Sequence, residues 1–114
     1  MPINEKLADR IRESLVGAGK IEEKKMFSGL CFMLKGKMCV CVSGDEMMCR
    51  INPEEYENAL EKTGCRPMIH GGRKMTGYVY VDETGYKSKK DFDYWINLCI
   101  SYNKIAKASK SKRK

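Results

Sequence analysis

Six cysteines, a single histidine and one Gly-Gly-Arg-Lys run hold whatever side-chain chemistry this sequence offers. Cys39 and Cys41 stand two apart in an alternating apolar segment, so they are expected to share a strand face, with Cys31 or Cys49 close by on neighbouring strands. Thiols gathered in that way would suit zinc or a softer metal. The spacing argues against it: there is no C-x-x-C pair, and His70 lies well downstream behind Pro67. No metal and no cofactor are therefore expected, and all six cysteines, including Cys65 and Cys99, read as reduced thiols packed like small apolar side chains. A reactive thiol needs a cationic, partly open setting. Cys65 beside Arg66 comes nearest to one, although a cysteine alone after a helix reads more simply as inert.

His70-Gly71-Gly72-Arg73-Lys74 could lend backbone N–H groups and charge to a phosphate. It matches no phosphate-loop pattern and reads first as a solvated turn, with Arg73 and Lys74 as the candidate anion or nucleic-acid contacts. General acid–base work requires a positioned pair of ionisable groups. The acids here fall in turns or on the outward sides of helices, and no Ser/His/Asp or Cys/His arrangement follows from their order, so no catalytic residues are named and an enzyme is not expected. Arg50 lies inside an apolar strand segment; directed outward it would be solvated, and directed inward it would need a carboxylate partner. Eight methionines supply flexible thioethers that fill cores or form adaptable contact surfaces. Most are assigned to the core. Met47, Met48, Met68 and Met75, with Tyr78 and Tyr80, are the candidates for an exposed patch that meets a second copy or a partner peptide.

The formal charge of +7 suggests nucleic acid until it is located along the chain. Of 22 Lys and Arg residues, six lie from Lys104 onward with no acid among them, so 16 cations face 15 acids elsewhere, a net of +1. The basicity belongs to a Lys/Ser tail that reads as disordered, and Lys110, Lys112, Arg113 and Lys114 join Arg73 and Lys74 as candidate phosphate contacts. The chain starts Met-Pro-Ile-Asn-Glu-Lys with no apolar leader and has no membrane-length apolar run, which points to a cytoplasmic protein. At 114 residues it fits one domain, assigned to 1–106, with 107–114 as the tail.

These residues must be positioned by helices and strands whose periods are legible. Asn4 caps a helix to about Val16 with Leu7, Ile11 and Leu15 on its apolar side and charges of mixed sign on the other. From Lys24 the period falls to two, which predicts a hairpin turned at Lys35-Gly36-Lys37, then a strand from Glu46 to Ile51 after the Gly44-Asp45 turn. Asn52-Pro53-Glu54-Glu55 opens a middle helix to about Lys62, with Glu55 placed to reach back as a capping-box acid. Pro67 and Gly71-Gly72 interrupt the chain before a strand at Tyr78–Val81 that Asp82-Glu83-Thr84-Gly85 turns. A second capping box, Ser88 to Asp91, starts a last helix whose Phe92, Trp95, Cys99, Tyr102 and Ala106 form one stripe. The fold class that follows is α+β: an antiparallel sheet of hairpins with an N-terminal, a middle and a C-terminal helix packed on it.

Several blocks occur together in an order that resembles the TfoX N-terminal domain of the TfoX/Sxy competence regulators, over roughly residues 5–106. Phe27-Ser28-Gly29 sits where members carry Phe-Gly-Gly, with Ser28 in place of the first glycine. Gly36-Lys37-Met38 matches the hairpin turn, Arg50 the strand arginine, Gly72 to Val81 (with Gly77 and Tyr78) the variant of short stand-alone members, and Trp95 the tryptophan of the final helix. The resemblance implies a sheet-and-helix domain similar to secretion-chaperone-like folds. For its namesake it implies a part in switching on DNA-uptake genes, in proteins that carry a second, C-terminal domain this chain is not expected to have. The combined expectation is a small cytoplasmic regulatory or adaptor domain working by contact with a protein partner or as a homodimer. Nucleic-acid binding through the tail and the Gly72–Lys74 loop is the alternative.

Overall fold

The computed structural model describes residues 3–26 and 29–106. Phe27 and Ser28 of the resemblance and the tail residues Lys110, Lys112, Arg113 and Lys114 lie outside the described residues. Helix α1 spans Glu5–Ser14; its start is fixed by Asn4, whose side chain accepts a hydrogen bond from the Leu7 N–H. Strands β1 (Ile21–Met26), β2 (Gly29–Leu34), β3 (Lys37–Ser43) and β4 (Glu46–Arg50) then run as an antiparallel meander. The β2–β3 turn is the expected one, with Lys35 at φ 55 and Gly36 at φ 80, the left-handed pair that joins strands of right-handed twist. Pro53–Glu55 makes a single 3-10 turn and α2 covers only Tyr56–Leu60, so the middle helix is shorter than its capping signal predicts. Asn52 does cap that turn, accepting from the Glu54 N–H at 2.9 Å.

Two strands were not legible. β1 reads Ile-Glu-Glu-Lys-Lys-Met, too charged for a half-buried strand, and it is tolerated because it forms the edge of the sheet, where charge discourages pairing with another chain. At the opposite edge β5 (Cys65–His70) contains Pro67, whose missing N–H is acceptable only at such a place. The Gly71-Gly72 break is therefore a hairpin turn, and β6 extends over Arg73–Val81 rather than starting at Tyr78. The strand order is β1-β2-β3-β4-β6-β5, antiparallel throughout. Asp82 caps the one-turn helix α3 (Glu83–Tyr86), and Ser88 caps α4 (Lys89–Asn103) by accepting from the Asp91 N–H at 3.1 Å.

The four α-helices of the described residues all contribute to one core. Leu7 and Ile11 of α1, Ala59 of α2, Tyr86 of α3 and Phe92, Trp95 and Cys99 of α4 join Phe32, Val40, Val42, Cys49, Ile51, Val79 and Val81 from one face of the sheet. Trp95 is fully enclosed and donates its indole N–H to the Gly85 carbonyl at 3.0 Å. The end of α4 is held by Lys37, whose ammonium donates to the carbonyls of Asn103 (2.6 Å) and Ala106 (3.1 Å), the favourable placement of a cation at a helix C-terminus. No helix among the described residues is long and apolar enough to cross a membrane.

Candidate interaction face

The other face of the sheet has its own small cluster, and every buried member among the described residues carries sulfur: Cys31, Met33, Met38, Cys41, Met48 and Met68. Met75, Tyr78 and Tyr80 pack against it half-buried. Strand register sets one row straight across this face: Lys24, Cys31, Cys41, Met48, Tyr80 and Arg66, each opposite the next. Such direct cross-strand neighbours are the contacts through which a sheet packs.

Two expectations about the cysteines are corrected here. Cys39 and Cys41 do not share a face. Phe32 pairs with Val40 and Met33 with Met38, so Cys39 is the extra residue of a β-bulge. The bulge puts Cys39 and Val40 together in the helix-side core, leaving Cys41 on the opposite side. Nor are all six cysteines reduced thiols. Cys31 and Cys41, directly opposite on β2 and β3 with Cα atoms 4.0 Å apart, form a disulfide. The cause is register, which no spacing rule for metal sites would show.

On the helix side Cys39 and Cys49 both hydrogen-bond the Cys99 thiol. The bond with Cys99, together with burial, pushes Cys39 far above the ordinary thiol range. For Cys99 the bond with Cys39 works downward, but the bond with Cys49 and burial outweigh it and raise it as well. Cys39 and Cys99 are therefore protonated, inert thiols. Cys65, half-buried at the start of β5, is pushed up to about 11 by burial, away from reactivity. Among the described residues no group of His, Cys, Asp or Glu is arranged to hold a metal ion.

The face ends in cations laid on aromatic rings. The Arg66 guanidinium lies 4.6 Å from the centre of the Tyr80 ring and reaches over it to Glu46 on β4, with Nη2–Oε1 at 2.6 Å and Nε–Oε2 at 3.2 Å. Arg50 sits between two rings, 5.9 Å from Tyr78 and 5.6 Å from Tyr102. Beside the alternatives of solvent and a carboxylate, the aromatic face is a further environment for Arg50, one that attracts a guanidinium through its quadrupole. Arg66, Glu46 and Tyr102 were not identified from the sequence as parts of this face. The alternation of Arg66 with Met68 would have exposed the first, had Pro67 not argued against a strand there.

The proposed methionine patch is corrected in part. Met47 is fully buried in the helix-side core, because it alternates with Met48; Met48 (1% exposed) and Met68 (6%) lie on the second face but are buried, and only Met75, Tyr78 and Tyr80 are half-open. Arg73 and Lys74 are exposed just after the Gly71-Gly72 turn, at the far end of β6 from Tyr80. Two clefts open beside α4 instead. One of about 210 Å³ is lined by Lys62, Thr63, Lys90, Tyr94 and Trp95, and one of about 460 Å³ lies against α1, where Arg10 stacks 4.1 Å above Phe92. Of the described candidate contact and family-motif residues, only Trp95 lines either.

The residues that carried the family resemblance have separable structural duties. Gly29 starts β2 so close to β3 that a Cβ there would collide with the Val42 carbonyl oxygen. Gly77 takes φ 94 in mid-strand, which lets its carbonyl accept from the Ile51 N–H at 2.8 Å. Gly36 turns the hairpin, Trp95 fills the core, and Arg50 and Tyr78 stack at the edge of the second face. A search of curated proteins finds no match. The family model of the TfoX N-terminal domain matches residues 13–102, which take in all six strands described here and nearly all of α4, so the chain belongs to the TfoX N-terminal domain family.

Proposed function

We propose that this chain is a cytoplasmic, non-enzymatic regulatory domain of the TfoX type that acts by protein contact through the second face of its sheet. The observation that carries this reading is the half-open row of Tyr78, Tyr80 and Met75 flanked by Arg50 and Arg66. Tyrosine, methionine and arginine are the types concentrated at the centres of protein interfaces, and here they lie on rigid strands rather than on loops. A regulatory role is in keeping with the family, and a part in competence would follow its namesake. A second copy of the chain is one partner of suitable chemistry.

The test is capture of partners from the native cytoplasm, after nuclease treatment, by wild type and by a Tyr80→Ser/Arg66→Ser variant whose circular dichroism matches wild type. A protein retained by wild type and lost by the variant supports the reading. Equal capture by both removes the face from it. Light scattering of the purified protein at high concentration separates a homodimer from a monomer.

Nucleic-acid binding is the second reading, favoured by the exposure of Arg73 and Lys74 together at one hairpin end. Phosphate-driven binding weakens steeply with salt. An affinity for DNA or RNA that is insensitive to Arg73→Ser/Lys74→Ser and to deletion of 107–114 would exclude it.

A further inference from the structure

We infer that Cys31 and Cys41 are a reversible dithiol–disulfide couple whose state is read at Tyr80 through Met48. This rests on the cytoplasmic contact-face reading above, because a disulfide in a reducing compartment is characteristically transient and redox-sensing rather than a permanent staple.

Three features carry it. First, the bond joins adjacent strands of one hairpin, ten residues apart in sequence, that the ladder already pairs, and each strand has a further neighbour in β1 or β4. Breaking it leaves every strand in place, so the domain can cycle without unfolding. Second, the other cysteines do not compete. Cys39, Cys49 and Cys99 are enclosed on the opposite side of the sheet, and burial keeps Cys65 protonated. Third, the couple has a readout. Cys41 faces Met48, and Met48 faces Tyr80, whose ring supports Arg66. Two thiols need more room than one disulfide, and in a close-packed cluster that displacement is passed to neighbours. The neighbours here are thioethers, flexible enough to move without breaking the sheet.

The cycle balances with a low-molecular-weight thiol such as glutathione. One thiolate attacks a sulfur of the couple, the S–S bond breaks, and a mixed disulfide and a protein thiol form. A second small thiolate then attacks the small-thiol sulfur of that mixed disulfide, and the remaining protein thiolate leaves. Two electrons and two protons end on Cys31 and Cys41, and the small thiols leave as their own disulfide. Both sulfurs are buried, Cys31 at 0% and Cys41 at 2% exposed, so exchange requires local opening of the hairpin.

The experiment uses the purified full-length protein without a partner, equilibrated anaerobically in buffers of graded glutathione to glutathione-disulfide ratio, quenched in denaturant with an alkylating agent and weighed. The count of alkyl groups should pass between four and six in one step, with Cys31 and Cys41 identified by peptide mapping and circular dichroism unchanged throughout. NMR of ring-labelled tyrosine on the same samples should show the Tyr80 signal shifting over the same range. Six alkyl groups at every ratio, a bond that yields only when the fold is lost, or a persistent glutathione adduct would overturn the couple. A titration with Tyr80 unmoved would overturn its readout. Since no partner is present, these failures are distinct from failure of the contact-face reading.

Discussion

At the level of single residues, each conspicuous type is explained by its neighbours rather than by its own chemistry. Gly29 is required by space: a methyl group there meets backbone, which cannot move aside as a side chain can. Gly29→Ala is expected to destabilise the domain by about 1–3 kcal/mol, measured as a lower urea midpoint at unchanged slope. Arg66 is the opposite case. Its guanidinium is largely solvated and screened even though it contacts both Glu46 and Tyr80, so Arg66→Ala should change stability by less than about 1 kcal/mol while weakening partner capture. The cysteines show where single-residue reading stops. Their apolar surroundings were legible, but the bulge at Cys39 reverses the face of everything before it, and nothing in Lys37-Met38-Cys39-Val40 announces an extra residue.

Among the elements, those with end signals were legible and those held by their partners were not. Asn4, Asn52 and Ser88 all cap where expected. Ser88→Ala should cost about 1 kcal/mol, read as a lower thermal midpoint, because the Asp91 N–H loses its acceptor at the start of α4. β1 and β5 carry no such signal; they exist because β2 and β6 offer open edges. Arg12 ties β1 to α1 through Glu23, with Nε–Oε2 at 2.6 Å and Nη2–Oε1 at 2.9 Å, and this guanidinium holds the Glu23 carboxyl below its ordinary range. A depressed carboxyl pKa contributes stability above its unfolded value and loses it as pH falls through the folded one. Glu23→Gln should therefore lower stability by under about 1 kcal/mol at neutral pH, discounted because both partners are partly solvated, and the gap from wild type should close in acid. Denaturant titrations of both proteins at neutral and acidic pH would show it.

For the whole molecule, one face of the sheet is given to helices and the other to a thin sulfur-rich layer edged by tyrosine and arginine. The α+β class was legible from the change of hydrophobic period. The division of labour between faces was not, since it depends on which strands are neighbours, and β4 pairs with β6 rather than with β5. The most direct measurement is amide hydrogen exchange of the domain alone and with its captured partner. Added protection along β5 and β6, centred on Met68 and on Tyr78 to Tyr80, is the result expected of a contact face there; protection confined to α1 and α4, with β6 unchanged, would contradict it.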